Sequence, residues 1–186
     1  NGGGGWACEP WSQKEMPLTD EQVAEAAEDS NKAIVVIGRT AGEDKDNKVE
    51  EGSYLLTAAE ADMIEKVANG FENVIVVLNV PNVIDMSFLH NIKKPENLKA
   101  VVYAWQGGME GGAAIADIMY GDVCPSGKLV DTFAKSYDYY PGIEDFNKDF
   151  RYLDYSEDIY VGYRYFETIP GMKDKVRYPF GYGLSY

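Results

Sequence analysis

Three apolar runs punctuate the chain: "KAIVVIG" at 32–38, "NVIVVLNV" at 73–80 and "KAVVYAW" at 99–105. Each is continuous rather than alternating, the pattern of strands covered on both faces. Around them, apolar residues recur at helical spacing. "LTDEQVAEAAEDS" sets Thr19 three residues before Gln22, the spacing of a capping box, in which hydroxyl and side-chain carbonyl each accept from a backbone N–H left open by the first turn. Thr57 and Glu60 repeat the device. Met63, Ile64, Val67, Ala68 and Phe71 then form one apolar stripe with Gly70 beside its end, a candidate C-terminal cap. "MEGGAAIADIMYG" at 109–121 predicts a third helix with Ala114, Ile115, Ile118 and Met119 inward. Strands interleaved with helices predict an α/β fold, a flavodoxin-like three-layer sandwich. Its sheet is mostly parallel, with helices on both faces and right-handed crossovers.

After "CPSGKLVDTF", where residues 129–133 read as a further strand, the texture changes. Most of the 14 tyrosines lie from Tyr137 onward, in an aromatic, loop-rich C-terminal tail. Within it, "DIYVGYRYF" alternates as a strand does. With 45% hydrophobic residues in 186, the chain can bury a core as one domain. Its formal charge of −14, with 17 scattered basic residues, argues against nucleic acid or an anionic membrane as partner and favours a neutral or cationic ligand. No apolar run reaches the roughly 20 residues that span a bilayer. "NGGGGWACEP" has no leader pattern, so the expectation is a soluble protein, with the cytoplasm slightly favoured and the compartment left open.

Several kinds of site chemistry fail on spacing. "WQGGMEGG" at 105–112 is a glycine-rich strand-to-helix turn, a type that can cradle phosphate, but Ala113 and Ala114 stand where a phosphate loop needs Lys and Ser or Thr. In "GDVCPSGKL" the glycines are one residue too far apart and Leu129 offers no hydroxyl. The expected role of the 107–112 glycines is therefore close helix-to-strand packing. His90 has no second histidine or nearby cysteine, so no metal site is expected, and no nucleophile elbow is present. Met86, Met109 and Met119 read as core fillers. What remains is "AGEDKDNKVEE" immediately beyond the first strand. Glu43, Asp44 and Asp46 lie there, at the carboxyl edge where ligands gather in an open parallel sheet. By composition alone, such a run reads as solvated surface.

Taken in order, four stretches resemble the C-terminal α/β sandwich domain of family 3 glycoside hydrolases, the β-glucosidase and β-xylosidase group, over residues 18–186. "AGEDKD" looks like the family's SGEGYD. "WQGGMEGGAAIADIMYGDVCPSGKLVDTF" is similar to its WQ-x-G-x-E-x-G and NPSGKLP-x-TF segments. "IYVGYRYFE" and the closing "YPFGYGLSY" complete the series. Residues 1–17 are then a linker or an incomplete start of the domain, whose first strand and glycine-rich turn have no counterpart here.

The resemblance implies a retaining glycosidase acting on β-linked glucosides or xylosides without a cofactor. Its aspartate nucleophile lies on a separate TIM-like barrel domain of the same enzyme. Glu43 matches the general acid/base and Asp46 a substrate-adjacent aspartate. Neighbouring carboxylates and cover from the barrel are expected to keep Glu43 protonated. The barrel's SDW-like nucleophile motif and its KH pair are absent from this sequence, so the chain alone is expected to be inactive. The sequence departs from the family at Asn47, where an arginine is common, at Asp44 and Lys45 in place of Gly and Tyr, and at Cys124 in "CPSG". A non-catalytic carbohydrate-binding or interaction module on the same scaffold is the alternative.

Overall fold

The three apolar runs become strands β1 (Lys32–Gly38), β2 (Asn73–Asn79) and β3 (Leu98–Tyr103). They pair in parallel in the order β1-β2-β3. β1 and β2 run in unbroken register from Lys32 opposite Asn73 to Gly38 opposite Asn79. β2 and β3 shift once, between Val74 and Ile75, before settling with Leu78 opposite Tyr103. The computed structural model describes residues 10–40, 46–146, 148–149 and 151–185. The chain divides into two compact units, Asn1–Ala116 and Asp117–Tyr186.

In the first unit the core sits on the central strand. Val74, Val76 and Leu78 are fully buried and Val77 nearly so, as β-branched and aliphatic residues are when both faces are covered. β1 corrects the expectation of two-sided cover. Val35 and Ile37 are buried, but Ile34 and Val36 are 59% and 56% exposed. Among the described residues β1 has one sheet neighbour, β2, and only its face bearing Val35 and Ile37 is covered.

Two helices complete this layer. In α1 (Asp20–Asp29) the Thr19 hydroxyl accepts from Gln22 N at 3.2 Å, while Gln22 Oε1 accepts from Thr19 N at 2.9 Å. α2 (Ala58–Gly70) is capped likewise by Thr57 and Glu60, at 3.2 and 2.8 Å. These boxes satisfy donors that the first turn leaves open. α1 and α2 pack together, and α2 lies on β1 and β2 with Ile64, Val67 and Ala68 buried. Gly70 is not the cap. It is the last helical residue, and Phe71 caps in extended conformation with its N–H donating to Val67 O at 2.9 Å. The connection from β2 to β3 uses two single-turn 3₁₀ segments, Ser87–Leu89 and Pro95–Asn97, and buries Ile84, Met86 and Phe88. α3 (Gly111–Tyr120) forms as predicted, but Ala114 is exposed and no residue of the helix is fully buried. Met109 is fully exposed, not a core filler.

In the second unit, the strand expected at 129–133 reduces to β4 (Phe133–Ala134), which pairs antiparallel with β5 (Val176–Tyr178). "DIYVGYRYF" is not a strand. Gly162, at φ 60°, turns the chain into α4 (Tyr163–Thr168), which buries Phe166, while Ile159 and Val161 stay exposed. A left-handed residue in the middle of an alternating run ends the extended backbone that the alternation requires. Parallel sheet and flanking helices make the molecule an α/β sandwich rather than a barrel. Among the described residues no helix is long and apolar enough to cross a membrane.

Candidate active-site rim

Parallel strands bring all their carboxyl ends to one edge, so the segments after β1, β2 and β3 converge there. Arg39 follows β1, with its N–H donating to Asn79 O at 3.1 Å. Arg39 is 6% exposed and Glu60, at the third position of α2, is 4% exposed. A buried charge requires a partner and filled hydrogen-bond positions. Arg39 Nη1 donates to Glu60 Oε1 and, at 2.8 Å, to Gly38 O. Its Nη2 donates to Glu60 Oε2 at 2.8 Å and to Leu55 O at 3.4 Å, and its Nε to Ser53 O at 3.4 Å. All five guanidinium donors are thus directed. Glu60 Oε2 also accepts from Thr57 N, so one carboxylate closes the helix cap and the ion pair together.

The 50–55 turn that receives Arg39 depends on Gly52. Its φ is +79°, and a Cβ there would lie 2.3 Å from Ser12 Oγ. Ser53, 2% exposed, donates from its hydroxyl to Asn47 Oδ1 at 2.9 Å and accepts from Lys48 N at 3.0 Å. Asn47 Nδ2 donates to Val83 O at 2.7 Å, beyond β2. On the other side, Thr40 N donates to Trp11 O at 2.7 Å and its hydroxyl to the Pro10 carbonyl. Thr40 and Asn47 are therefore both fastened. Asp46 is exposed beside Asn47. Glu43 and Asp44 lie outside the described residues.

After β3, Tyr103 Oη donates to Asn82 O at 2.6 Å and accepts from Ile84 N at 3.2 Å. Its ring meets Trp105 at 4.5 Å between centroids. Trp105 holds φ at 56°, a conformation costing a bulky residue about 1–3 kcal/mol and found mostly where the surroundings over-determine the backbone. Gln106 Nε2 then reaches Arg39 O at 3.4 Å. The glycines that follow correct the packing expectation. A Cβ on Gly107 would lie 2.8 Å from Gly111 Cα, an approach between the loop and the first residue of α3 rather than between helix and strand, and Gly108, Gly111 and Gly112 face open space. His90 is exposed, behind a 3₁₀ turn.

The sequence reading missed Arg39, Glu60 and Ser53. Arg39 stands directly after the apolar run 32–38, but nothing local in the sequence marks it as buried, since arginine is mostly exposed. Its partner 21 residues on was read only as a helix cap. Among the described residues the rim is a hydrogen-bonded mount for both flanks of the 41–45 segment.

The chain matches the glycosyl hydrolase family 3 C-terminal domain over residues 13–186. It is 51% identical to a β-glucosidase of Ruminococcus albus over 185 residues, covering 99% of this chain and 19% of that protein. It is 46% identical to β-glucosidase A of Butyrivibrio fibrisolvens, covering 95% of this chain and 24% of that one. In structure it is similar to a β-glucosidase from Paenibacillus barengoltzii, with a TM-score of 0.93 and 58% identity over 100% of this chain and 20% of the other. It is also similar to β-glucosidase 3B of Thermotoga neapolitana in complex with glucose, with a TM-score of 0.80 and 32% identity over 96% of this chain and 26% of that one. The chain thus spans only 19% to 26% of these relatives. It belongs to the C-terminal domain family of the family 3 glycosyl hydrolases.

Proposed function

We propose that this chain is the acid/base-bearing domain of a retaining β-glycosidase of the β-glucosidase type, with Glu43 as general acid/base and Asp46 beside the substrate. Residues 18–186 make up the sandwich domain and 1–17 lead into it. The aspartate nucleophile comes from a TIM-like barrel domain of the longer protein, and the substrates are β-linked glucosides or xylosides. The observation that carries the reading is the fastened pair Thr40 and Asn47, which brackets an acidic run at the carboxyl edge of a parallel sheet. The names of the four relatives described above, each a β-glucosidase, point the same way.

The chemistry needs two carboxyl groups roughly 5 Å apart. In the first step the nucleophile's carboxylate attacks the anomeric carbon while the Glu43 carboxylic acid gives its proton to the departing oxygen, leaving a glycosyl ester and a Glu43 carboxylate. In the second, that carboxylate takes a proton from water, the water oxygen attacks the anomeric carbon, and the ester bond breaks. Protons and electron pairs balance over the cycle, and no cofactor enters.

Glu43→Ala in the full-length polypeptide tests this. General acid catalysis contributes about 10²–10⁴-fold, so kcat/KM for an alkyl glucoside is expected to fall by that order. A dinitrophenyl glucoside, whose phenolate leaves without a proton, should keep its kcat/KM, and azide should restore turnover by replacing activated water. Normal activity toward the alkyl glucoside would sink the assignment. The isolated chain is expected not to turn over p-nitrophenyl β-glucoside.

A further inference from the structure

Buried polar side chains are not spread evenly. Among the described residues four polar or charged side chains are buried, and three of them, Arg39, Ser53 and Glu60, belong to one connected network. A buried ion pair is a poor source of stability, because apolar residues of similar volume often do as well. Apolar residues cannot fix direction, however. Arg39 holds Gly38 O, Ser53 O and Leu55 O through defined hydrogen bonds, and Glu60 locks the guanidinium plane to the first turn of α2. Ser53 is the junction. Its carbonyl accepts from Arg39, one residue before Thr40, and its hydroxyl accepts from Lys48 N and donates to Asn47. Both flanks of 41–45 are therefore referred to a single fully buried residue, and Asn47 carries the tie on to Val83 O beyond β2.

We infer that Ser53 and Asn47, seated on the Arg39–Glu60 pair, are positioning residues for the proton-transfer step. This inference rests on the reading of Glu43 as acid/base. None of the four touches the substrate. They set where the segment between Thr40 and Asn47 leaves the sheet, and so how well a proton donor borne on it lines up with the departing oxygen. Alignment matters steeply, since a misplacement of about 1 Å can change a rate by about 10²-fold. The substitution at 47 bears directly on this. Asparagine offers one acceptor to Ser53 and one donor to Val83 O, a pairing that a longer cation with donors only cannot reproduce.

The test uses the full-length polypeptide with Ser53→Ala and Asn47→Ala, beside Glu43→Ala, assayed on methyl β-glucoside and on a dinitrophenyl β-glucoside. The expected result is a fall in kcat/KM of about ten- to a hundredfold on the methyl glucoside for both variants. The aryl substrate should stay within about twofold of the parent, because its departure needs no proton. The alkaline limb of the pH profile, along which the general acid loses its proton, should shift with the methyl glucoside alone. Ser53→Ala removes one oxygen and keeps the fold if Asn47→Ala does not. Equal losses on both substrates, or no loss on either, would overturn the positioning role, provided Glu43→Ala itself discriminates between them. If Glu43→Ala does not discriminate, the acid/base reading fails and this inference falls with it.

Discussion

The two units use opposite means to bury apolar residues. In the unit ending at Ala116, aliphatic strands pair in parallel against one helix, and among the described residues its most deeply buried apolar side chains, Ile37, Ile64, Val74, Val76, Leu78 and Val80, are all aliphatic. In the unit beginning at Asp117, regular backbone is scarce and rings do the packing. Phe166 meets Tyr140 edge-on at 6.0 Å and Tyr165 at 5.4 Å, Tyr137 meets Tyr140 at 6.1 Å, and Phe133 meets Tyr178 at 6.4 Å. Rings reach further than aliphatic chains and lock by edge-to-face electrostatics, so they can close a core over loops. The same loops leave much unburied, with Tyr155 80% and Leu184 75% exposed. A sheet core tolerates an irregular rim because its strands already satisfy their backbone. An aromatic cluster has no such reserve, and each anchor in it matters more.

The sharpest way to break that contrast is at Phe166, which is 2% exposed. Phe166→Ala is expected to destabilise the second unit by about 3–5 kcal/mol, read from amide exchange of Phe133 and Ala134. A loss no larger than that of an exposed ring would show that the cluster is not a core. In the first unit the corresponding test is polar. Glu60→Ala strands the Arg39 guanidinium in the interior and is expected to cost about 3–5 kcal/mol. Arg39→Met combined with Glu60→Leu should recover most of that loss, measured by exchange of the β1 and β2 amides. If the double variant is as unstable as the single one, the pair contributes stability that apolar packing cannot replace, and the argument from direction weakens.

Legibility in the sequence divides along the same line. The strands and both capped helices of the first unit were readable because their determinants are local: an apolar run, a Thr with Gln or Glu three residues on, a stripe at helical period. The open face of β1 was not, because continuity of apolar residues records what a strand could bury and not how many neighbours it has. α4 was misread because Gly162 interrupts an alternating run with a positive φ, and alternation alone carries no sign of that turn. At the rim, Asp46 is exposed beyond β1 and Glu43 and Asp44 lie outside the described residues, while Arg39, Ser53 and Glu60 went unseen. Their pairing spans up to 21 residues and depends on β1, the 50–55 turn and α2 being folded already.

A smaller effect is expected at Tyr140. Burial pushes its phenol above the ordinary value, and the hydroxyl accepts from Ala134 N at 3.0 Å. Tyr140→Phe keeps the ring contacts and removes only that acceptor, leaving a buried N–H unsatisfied at an expected cost of about 1–3 kcal/mol. The Ala134 amide should then lose protection while the Phe166 region keeps its own. Uniform loss across the unit would mean that the hydroxyl, not the rings, organises the cluster.

The smallest effect belongs to the first unit's surface. Glu65 is held below the usual glutamate range by the side-chain hydrogen bond from Lys93 Nζ at 3.1 Å and by the Lys93 N–H, also at 3.1 Å. A carboxyl depressed in the folded state contributes stability that is fully present above its unfolded value and is lost as pH falls through the folded one. The tie between α2 and the 91–94 segment should therefore be intact at neutral pH and weaken below pH 4.5, the ordinary value. Both partners meet solvent, so salt should blunt the effect. Exchange of the Lys93 amide, followed from neutral pH into this window, is expected to slow less than its intrinsic base-catalysed rate does, because its protection is being lost. Glu65→Gln should remove that extra dependence. If the slope persists in Glu65→Gln, another carboxyl controls the segment, and the surface of the aliphatic unit is less modular than its core.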